Sequence, residues 1–427
     1  MRILVVSNLY PPETIGGYEI QCSQAVEQLI ARGHDVLVLT SVPHSLPPEH
    51  LGHILRVLRT PDVYSTDRSE LRSPHWELES NLINPDNVYL LLEVIRQFEP
   101  DVCYLWNLVA LGGAGIVGAL EYIGTPWVWH LGDSVPAMLC NFEGQLVEMA
   151  HALAPRLSGR FIACSQTVVD KTERVFSLAG RVRIAPNWIM HSTGRADRSF
   201  WNGSDLKLIH AGRLTEDKGS FILLEVARIL KERDIAFSLD LVGDGEVDEL
   251  RRRIAELQLQ DRVRLSGRLS QEDLRERLRN ADLFLFPTFA EDSMPLAPLE
   301  AASVGCIPVI PLLSGISEWL IDGVDCIKCE RSAVAYADAI RRVIDNEVDV
   351  KVMARRAARV AHEHFRIDRI MPTVEEELRL AAERASDRKG VPSDAYVLSL
   401  IGHAMLRRHL ATHSGGFQVD QGNLSQN

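Results

Sequence analysis

Basic charge is in short supply here: 46 lysines and arginines stand against 58 acidic residues, a formal net charge of −12. Nucleic-acid binders carry a basic surplus, so that class is excluded; a local basic patch for an anionic ligand or a membrane surface is not. Paired cysteines are lacking too. The seven cysteines are scattered singly apart from Cys326 and Cys329, which fits a reducing, cytoplasmic setting better than a disulfide scaffold. Cys326-Ile327-Lys328-Cys329 has no second pair to complete a zinc site, and it falls in a strand-like segment. Met1 to Ser7 is too short an apolar run for a signal peptide and reads as a first buried strand. The longest uncharged stretch, Val102 to Leu120, is broken by Asn107 and by Gly112, Gly113, Gly115 and Gly118. A strand, a loop and a helix are expected there instead of a membrane span. No repeat of solenoid period is visible.

What is present is a long chain of globular composition. Its 427 residues, 46% hydrophobic and 24% charged, imply two or three domains with a sizeable core. The first half alternates strands and helices, the pattern of a parallel sheet covered on both faces. A strand at Ile3 to Ser7 leads through a long loop to Gly16-Gly17. A helix follows with Ile20, Ala25, Val26, Leu29 and Ile30 on its inner side, then a strand from Val36 to Thr40. Residues 42 to 87 read as irregular. After them come a helix from Val88 to Phe98 and strands at Val102 to Trp106, Trp127 to His130, Phe161 to Cys164 and Val182 to Ile184. A polar linker spans 191 to 205. A second alternating set has strands at Leu206 to Ala211, Phe237 to Val242, Val263 to Leu265, Leu283 to Phe286 and Ile307 to Ile310. Its helix from Ser220 to Arg233 is apolar nearly all round. The domain plan is therefore 1–190, a linker at 191–205, 206–365, a charged helical run at 366–388, and a tail at 389–427. That tail carries an amphipathic helix at 395–410 and a disordered end. Gly243-Asp244-Gly245 lacks the third glycine of a dinucleotide fingerprint and does not follow the first strand, which argues against a dehydrogenase.

The stretch from Pro287 to Gly305 organises the rest. A buried strand runs into Asp292 and Ser293, both good N-cap residues, with Pro295 suited to a first helical position. A helix from Leu296 to Val304 should follow, stopped by Gly305. Such a strand-to-helix junction aims backbone N–H groups above the strand's carboxyl end, which suits a phosphate. Asp292 stands at the mouth and Glu300 eight residues further in. Gly16 and Gly17 permit a ligand to approach the backbone, and His130 ends its strand at the crevice of the first sheet.

In this order and spacing, Gly16-Gly17-Tyr18-Glu19, Arg32-Gly33-His34-Asp35, His130, Gly212-Arg213, Asp217-Lys218-Gly219, Gly243-Asp244-Gly245 and the Asp292–Glu300 pair resemble the retaining glycosyltransferases of family four. The likeness runs from Met1 to about residue 385. It departs from the family at Asp292, where glutamate is usual, and at Met294-Pro295, where Phe-Gly is usual. The resemblance implies a B-type fold, two Rossmann-like doubly wound α/β domains facing a cleft. It also implies transfer of a sugar, with retention, from a nucleotide-diphosphate donor such as a UDP- or GDP-sugar. The acceptor would be a glycan, a lipid-linked or a small molecule, with peripheral membrane association if it is lipid-linked. The basic run Arg355-Arg356-Ala357-Ala358-Arg359 fits a membrane surface or a solvated helix face equally well.

Roles follow from the resemblance. Glu300 should accept hydrogen bonds from the ribose, the N–H of Leu299 should lie near the phosphates, and Asp292 should hold sugar hydroxyls. Gly16 and Gly17 should approach the donor from the other domain, His130 should sit beside the reacting sugar, and Arg268 should lie near the base. No Asp-x-Asp metal motif occurs, so the leaving diphosphate must be balanced by the protein and no metal or other cofactor is expected. A helix N-terminus supplies ~0.3–2 kcal/mol, and charge-assisted hydrogen bonds supply ~1.5–3 kcal/mol each. Arg213 and Lys218, beside Gly212, are therefore the expected diphosphate ligands. An epimerase, a phosphorylase or a non-catalytic sugar-nucleotide-binding subunit would use the same architecture.

Overall fold

The computed structural model describes residues 1–42, 49–60, 83–136, 157–190, 201, 203, 205–288 and 292–384. Glu291, most of the 191–205 linker and the 395–410 helix lie outside the described residues.

Eight strands form the first sheet: β1 (Arg2–Ser7), β2 (Asp35–Ser41), β3 (Glu49–Leu51), β4 (Ile54–Leu58), β5 (Val102–Leu105), β6 (Trp127–Leu131), β7 (Arg160–Ala163) and β8 (Val182–Ile184). Their order is β3-β4-β2-β1-β5-β6-β7-β8, and every pair is parallel except β3–β4. The second sheet has β9 (Leu206–Ala211), β10 (Phe237–Val242), β11 (Val263–Gly267), β12 (Leu283–Leu285), β13 (Ile307–Pro311) and β14 (Ile327–Cys329). It is parallel throughout the described pairs, in the order β11-β10-β9-β12-β13-β14. Two doubly wound α/β domains result. The central strands are apolar runs because helices cover both of their faces: β1, β5, β6 and β12 are buried almost from end to end.

Several expectations are corrected. Part of the supposedly irregular 42–87 region pairs into the sheet as β3 and β4. Arg56 hid this by interrupting an apolar alternation. Its guanidinium is nevertheless buried, donating to the carbonyls of Tyr10 and Pro11 (3.2 and 2.6 Å) and pairing with Glu13 at 3.1 Å. The helix expected from Val88 starts at Pro85, capped by Asn84, whose side chain accepts from the Asn87 N–H. In the helix Gly17–Ala31, Ala25, Val26 and Leu29 are buried, but Cys22 takes an inner position and Ile30 is exposed. The helix Ser220–Glu232 buries one face, while Phe221, Ile222 and Ile229 are only half covered.

The chain crosses between domains twice, side by side. The Ile189 N–H donates to the Phe365 carbonyl (2.7 Å) and the Ile367 N–H to the Ile189 carbonyl (3.3 Å). Beyond that crossing, the helix Ile367–Arg384 lies on the first sheet with Ile367, Ile370, Met371, Val374 and Leu378 buried among residues of β1, β5 and the helix Gly17–Ala31. Burial of such side chains stabilises by ~1.5–3 kcal/mol each before entropy is counted. An ion pair of Arg160 with Glu377 at 2.6 Å and a hydrogen bond between His34 and Glu375 at 2.8 Å fix the register. No helix among the described residues is long and apolar enough to cross a membrane.

Candidate active site

Open parallel sheets bind ligands where the strand order reverses, because the loops on either side of that point part and leave a crevice. In the second sheet the reversal falls between β9 and β12, so residues 212–219, 286–288 and 292–295 flank the crevice. In the first it falls between β1 and β5, and the loop after β1 ends at Gly16.

The helix Leu296–Ser303 begins at the second crevice. Pro295 is its N-cap, with no side-chain cap and no acid in the first turn. The expected caps are corrected: Asp292 and Ser293 do not cap this helix, and Pro295 sits one position earlier than N1. The Leu296 and Ala297 N–H groups, which have no intrahelical partner at a helix start, remain available to an anion, with the Leu299 N–H one turn in at the first rung of the helix. Pro298 has no N–H to offer. The helix ends before Gly305, which takes a positive φ of 75°.

Across the crevice the helix Ser220–Glu232 also starts without a side-chain cap. Its N-cap Gly219 has φ +80°, and a Cβ there would lie 2.2 Å from the Pro287 carbonyl oxygen, so only glycine fits. This close approach brings Lys218 to the loop that carries Asp292. The Lys218 ammonium pairs with Asp292 at 2.6 Å, both side chains largely covered. Arg213 is exposed and 3.8 Å from Asp217. Arg268 pairs with Asp244 at 3.0 Å, and both are exposed. Glu300 lies one turn inside the helix, where burial pushes its carboxyl up to about 7 against the opposing charge of Arg275. Beneath Gly212, His210 is buried and kept neutral: burial lowers it to about 4, and its Nδ1 lies 2.9 Å from the Leu285 carbonyl.

The first domain meets this crevice with the start of the helix Gly17–Ala31. A Cβ on Gly17 would lie 2.4 Å from Cδ1 of Leu296. Gly17 thus adjoins the helix start of the other domain, and around Gly16 there is open space. Glu19, a residue the sequence reading left without a role, closes the helix: its buried carboxylate accepts from the N–H groups of Ile15 (3.3 Å) and Gly16 (3.0 Å).

His130 lies at the end of β6 with its ring turned into the core. Its ring is fully buried, stacked on Trp106 at 4.3 Å and 13°, with Trp188 edge-on at 5.8 Å. Nδ1 shares a 2.6 Å hydrogen bond with the Tyr104 hydroxyl, and burial lowers the ring pKa to about 3, so it is neutral. Among the described residues, Nε2 and the neighbouring Trp106 Nε1 have no hydrogen-bond partner. The His130 carbonyl accepts from the Tyr18 hydroxyl, which links the end of β6 to the helix at Gly17. Here the ring is part of the core behind the crevice. Among the described residues no group of three or more His, Cys, Asp and Glu side chains is arranged to hold a metal. Cys326 and Cys329 are free, and burial raises both thiols, Cys329 to about 12.

Comparison with known proteins gives the geometry a family. The family model described as Glycosyltransferase Family 4 matches residues 15–192, and the one described as Glycosyl transferases group 1 matches 195–360. Glycogen synthase of Mycobacterium tuberculosis is 24% identical over 95% of this chain and 99% of its own length. The amylovoran biosynthesis glycosyltransferase AmsK of Erwinia amylovora is 34% identical over 36% of this chain and 40% of its own. The crystal structure of Anabaena HepE in complex with UDP-glucose superposes with a TM-score of 0.65 at 20% identity, covering 89% of this chain and all of that one. At that identity the likeness is one of fold. Two adjoining family matches, on a fold of two switch-point sheets facing each other, show that the chain belongs to the B-type, family-four-like glycosyltransferases.

Proposed function

We propose that the chain moves a sugar from a nucleoside-diphosphate sugar, with retention and without a catalytic metal, to a glycan or lipid-linked acceptor. One observation carries the reading: the uncapped start of the helix Leu296–Ser303, with Lys218 on one side of it and Glu300 one turn inside. The relatives agree in kind. AmsK is named for amylovoran biosynthesis and HepE was solved with UDP-glucose, which favours a UDP-sugar donor and a growing glycan or its lipid-linked precursor. Cys22, Cys103, Cys164, Cys326 and Cys329 carry free thiols, which fits a cytoplasmic setting.

The chemical demand is the diphosphate, which gains negative charge as the glycosidic bond breaks. An ammonium has three N–H donors. Lys218 spends one on Asp292 and keeps two for phosphate oxygens. Asp292 thereby orients the ammonium while its other oxygen faces the sugar hydroxyls. With Arg213 reaching in from its exposed position, two cations supply charge-assisted hydrogen bonds of ~1.5–3 kcal/mol each, and the helix start adds up to ~2 kcal/mol. That is enough to stabilise the leaving group electrostatically. The Glu300 carboxylate accepts the two ribose hydroxyls, and Arg268 lies on the side of the base.

Transfer or donor hydrolysis measured against UDP-, GDP- and ADP-sugars in excess EDTA tests this. A UDP-sugar is expected to be turned over at the same rate with and without chelator. Activity abolished by EDTA and restored by a divalent ion would overturn the metal-free part, and turnover of no donor would overturn the whole.

A further inference from the structure

A joint between the domains holds the loop that carries Asp292, and it is built from residues the donor site does not use. Three consecutive backbone carbonyls of that loop are each satisfied from outside it. The Asp292 carbonyl accepts from the Gly315 N–H at 2.9 Å. The Ser293 carbonyl accepts from the Ser165 hydroxyl at 2.6 Å, and the Met294 carbonyl from the Asn187 side chain at 2.7 Å. Ser165 and Asn187 belong to the first domain. The Ser293 hydroxyl adds a fourth tie, donating to the Asp133 carboxylate at 2.8 Å, beyond the end of β6.

The same joint continues at its solvent edge. The Glu318 carboxylate accepts from the N–H groups of Gln166 and Thr167 and from the Thr167 hydroxyl, each at 2.7 Å. A second-domain side chain therefore satisfies the first turn of the first-domain helix Gln166–Glu173, and opposes its dipole with a full charge. Gly315 sits at the centre. A Cβ there would lie 1.5 Å from the Ser293 carbonyl oxygen and 2.9 Å from the Ser165 Cβ. The backbone leaves no room for a side chain, because two domains and the loop meet at that point.

We infer that Ser165, Ser293, Gly315 and Glu318 are positioning residues for the transfer reaction. They clasp the loop bearing Asp292 to the acceptor-side domain, so that the sugar-facing part of the donor site is in place only while the domains are engaged. The inference rests on the proposed function for its consequence in rate, but the clasp itself is a property of the free protein. A rotation of one domain against the other breaks the ties of Ser165, Asn187 and Asp133 together, and residues 292–294 then lose two of three carbonyl partners. The nucleotide end is held within the second domain by Glu300, Lys218 and Arg213, so it does not depend on the clasp.

The test uses the full chain with Gly315→Ala as a wedge, and with Thr167→Val plus Glu318→Gln as a milder pair should the wedge prevent folding. Three quantities are measured: small-angle scattering of the ligand-free protein, the affinity for UDP by calorimetry, and kcat at saturating donor. The clasp predicts a larger radius of gyration, a UDP affinity within about threefold of wild type, and a kcat lowered roughly 10²-fold for the wedge, as misplacement near the chemistry by about 1 Å does. For the milder pair, loss of these hydrogen bonds predicts a fall of about tenfold. Unchanged scattering with unchanged kcat overturns the inference. So does a kcat loss matched by an equal loss of UDP affinity, since the residues would then act on nucleotide binding itself. If the wild-type chain binds no nucleotide and transfers no sugar, the proposed function falls, while the scattering comparison still decides the clasp.

Discussion

Lys218→Ala is expected to lower kcat by roughly 10²–10³-fold, the range seen when one preorganised donor is removed from a developing negative charge. The substitution takes away the ammonium that pairs with Asp292 and that the proposed reaction uses against the diphosphate. It also leaves a largely covered carboxylate without its cation, so phosphate binding meets repulsion where it met attraction. The fold should survive, because Lys218 lies in a loop and the main apolar core of the second domain is built elsewhere. A melting temperature near wild type together with the rate loss supports the assignment. A rate within a few-fold of wild type removes Lys218 from the site.

The second large effect concerns pH and Glu300. Its carboxyl is displaced upward from 4.5 to about 7, chiefly by burial. Folding therefore takes up a proton between those values. The protonated, stabilising state is complete at low pH and is lost as pH rises through about 7. At ~1.4 kcal/mol per pH unit the displacement bounds this loss at about 3 kcal/mol, and Glu300→Gln should flatten the dependence of stability on pH. Ligand binding runs the other way. Two ribose hydroxyls need two accepting oxygens, which the carboxylate offers and the carboxylic acid does not. The affinity for a UDP-sugar, whose phosphates do not titrate in this window, is expected to rise about tenfold from pH 6 to pH 8, the limit of one proton per site below a pKa near 7. In Glu300→Gln the affinity should be weak and level with pH. A wild-type affinity that is level over the same range would place the ribose elsewhere.

How legible the fold was depended on how local its causes are. β8, β9 and β10 have the bounds read from sequence. The helix after β12 likewise followed from a buried run, a loop and Gly305. β4 was missed because Arg56, a charge in mid-strand, finds its partners in a loop some 45 residues away. The cap of the Leu296 helix, not its start, differs from the expectation, because Ser293, a good local cap, is claimed by Asp133 across a separation of 160 residues. The chain positions of Lys218, Asp292 and Glu300 could be read from strand ends and spacing, but their mutual geometry could not. The direct pairing of Lys218 with Asp292 depends on the close approach of Gly219 to Pro287. The fate of His130 was equally hidden. A histidine at a strand's end faces a crevice unless something covers it, and here Tyr104 and Trp106 from the end of β5 and Trp188 from a distant segment do so. Those long-range enclosures have no signature in local sequence.

The most direct test of the central claim is a crystal structure of the chain soaked with a UDP-sugar in the absence of divalent ions. The account predicts the diphosphate over the start of the helix Leu296–Ser303 and within hydrogen-bonding reach of Lys218 and Arg213, with the ribose on Glu300 and the sugar directed toward Asp292 and Gly17. A nucleotide lodged away from these residues, or bound there only once a divalent ion is added, would contradict it.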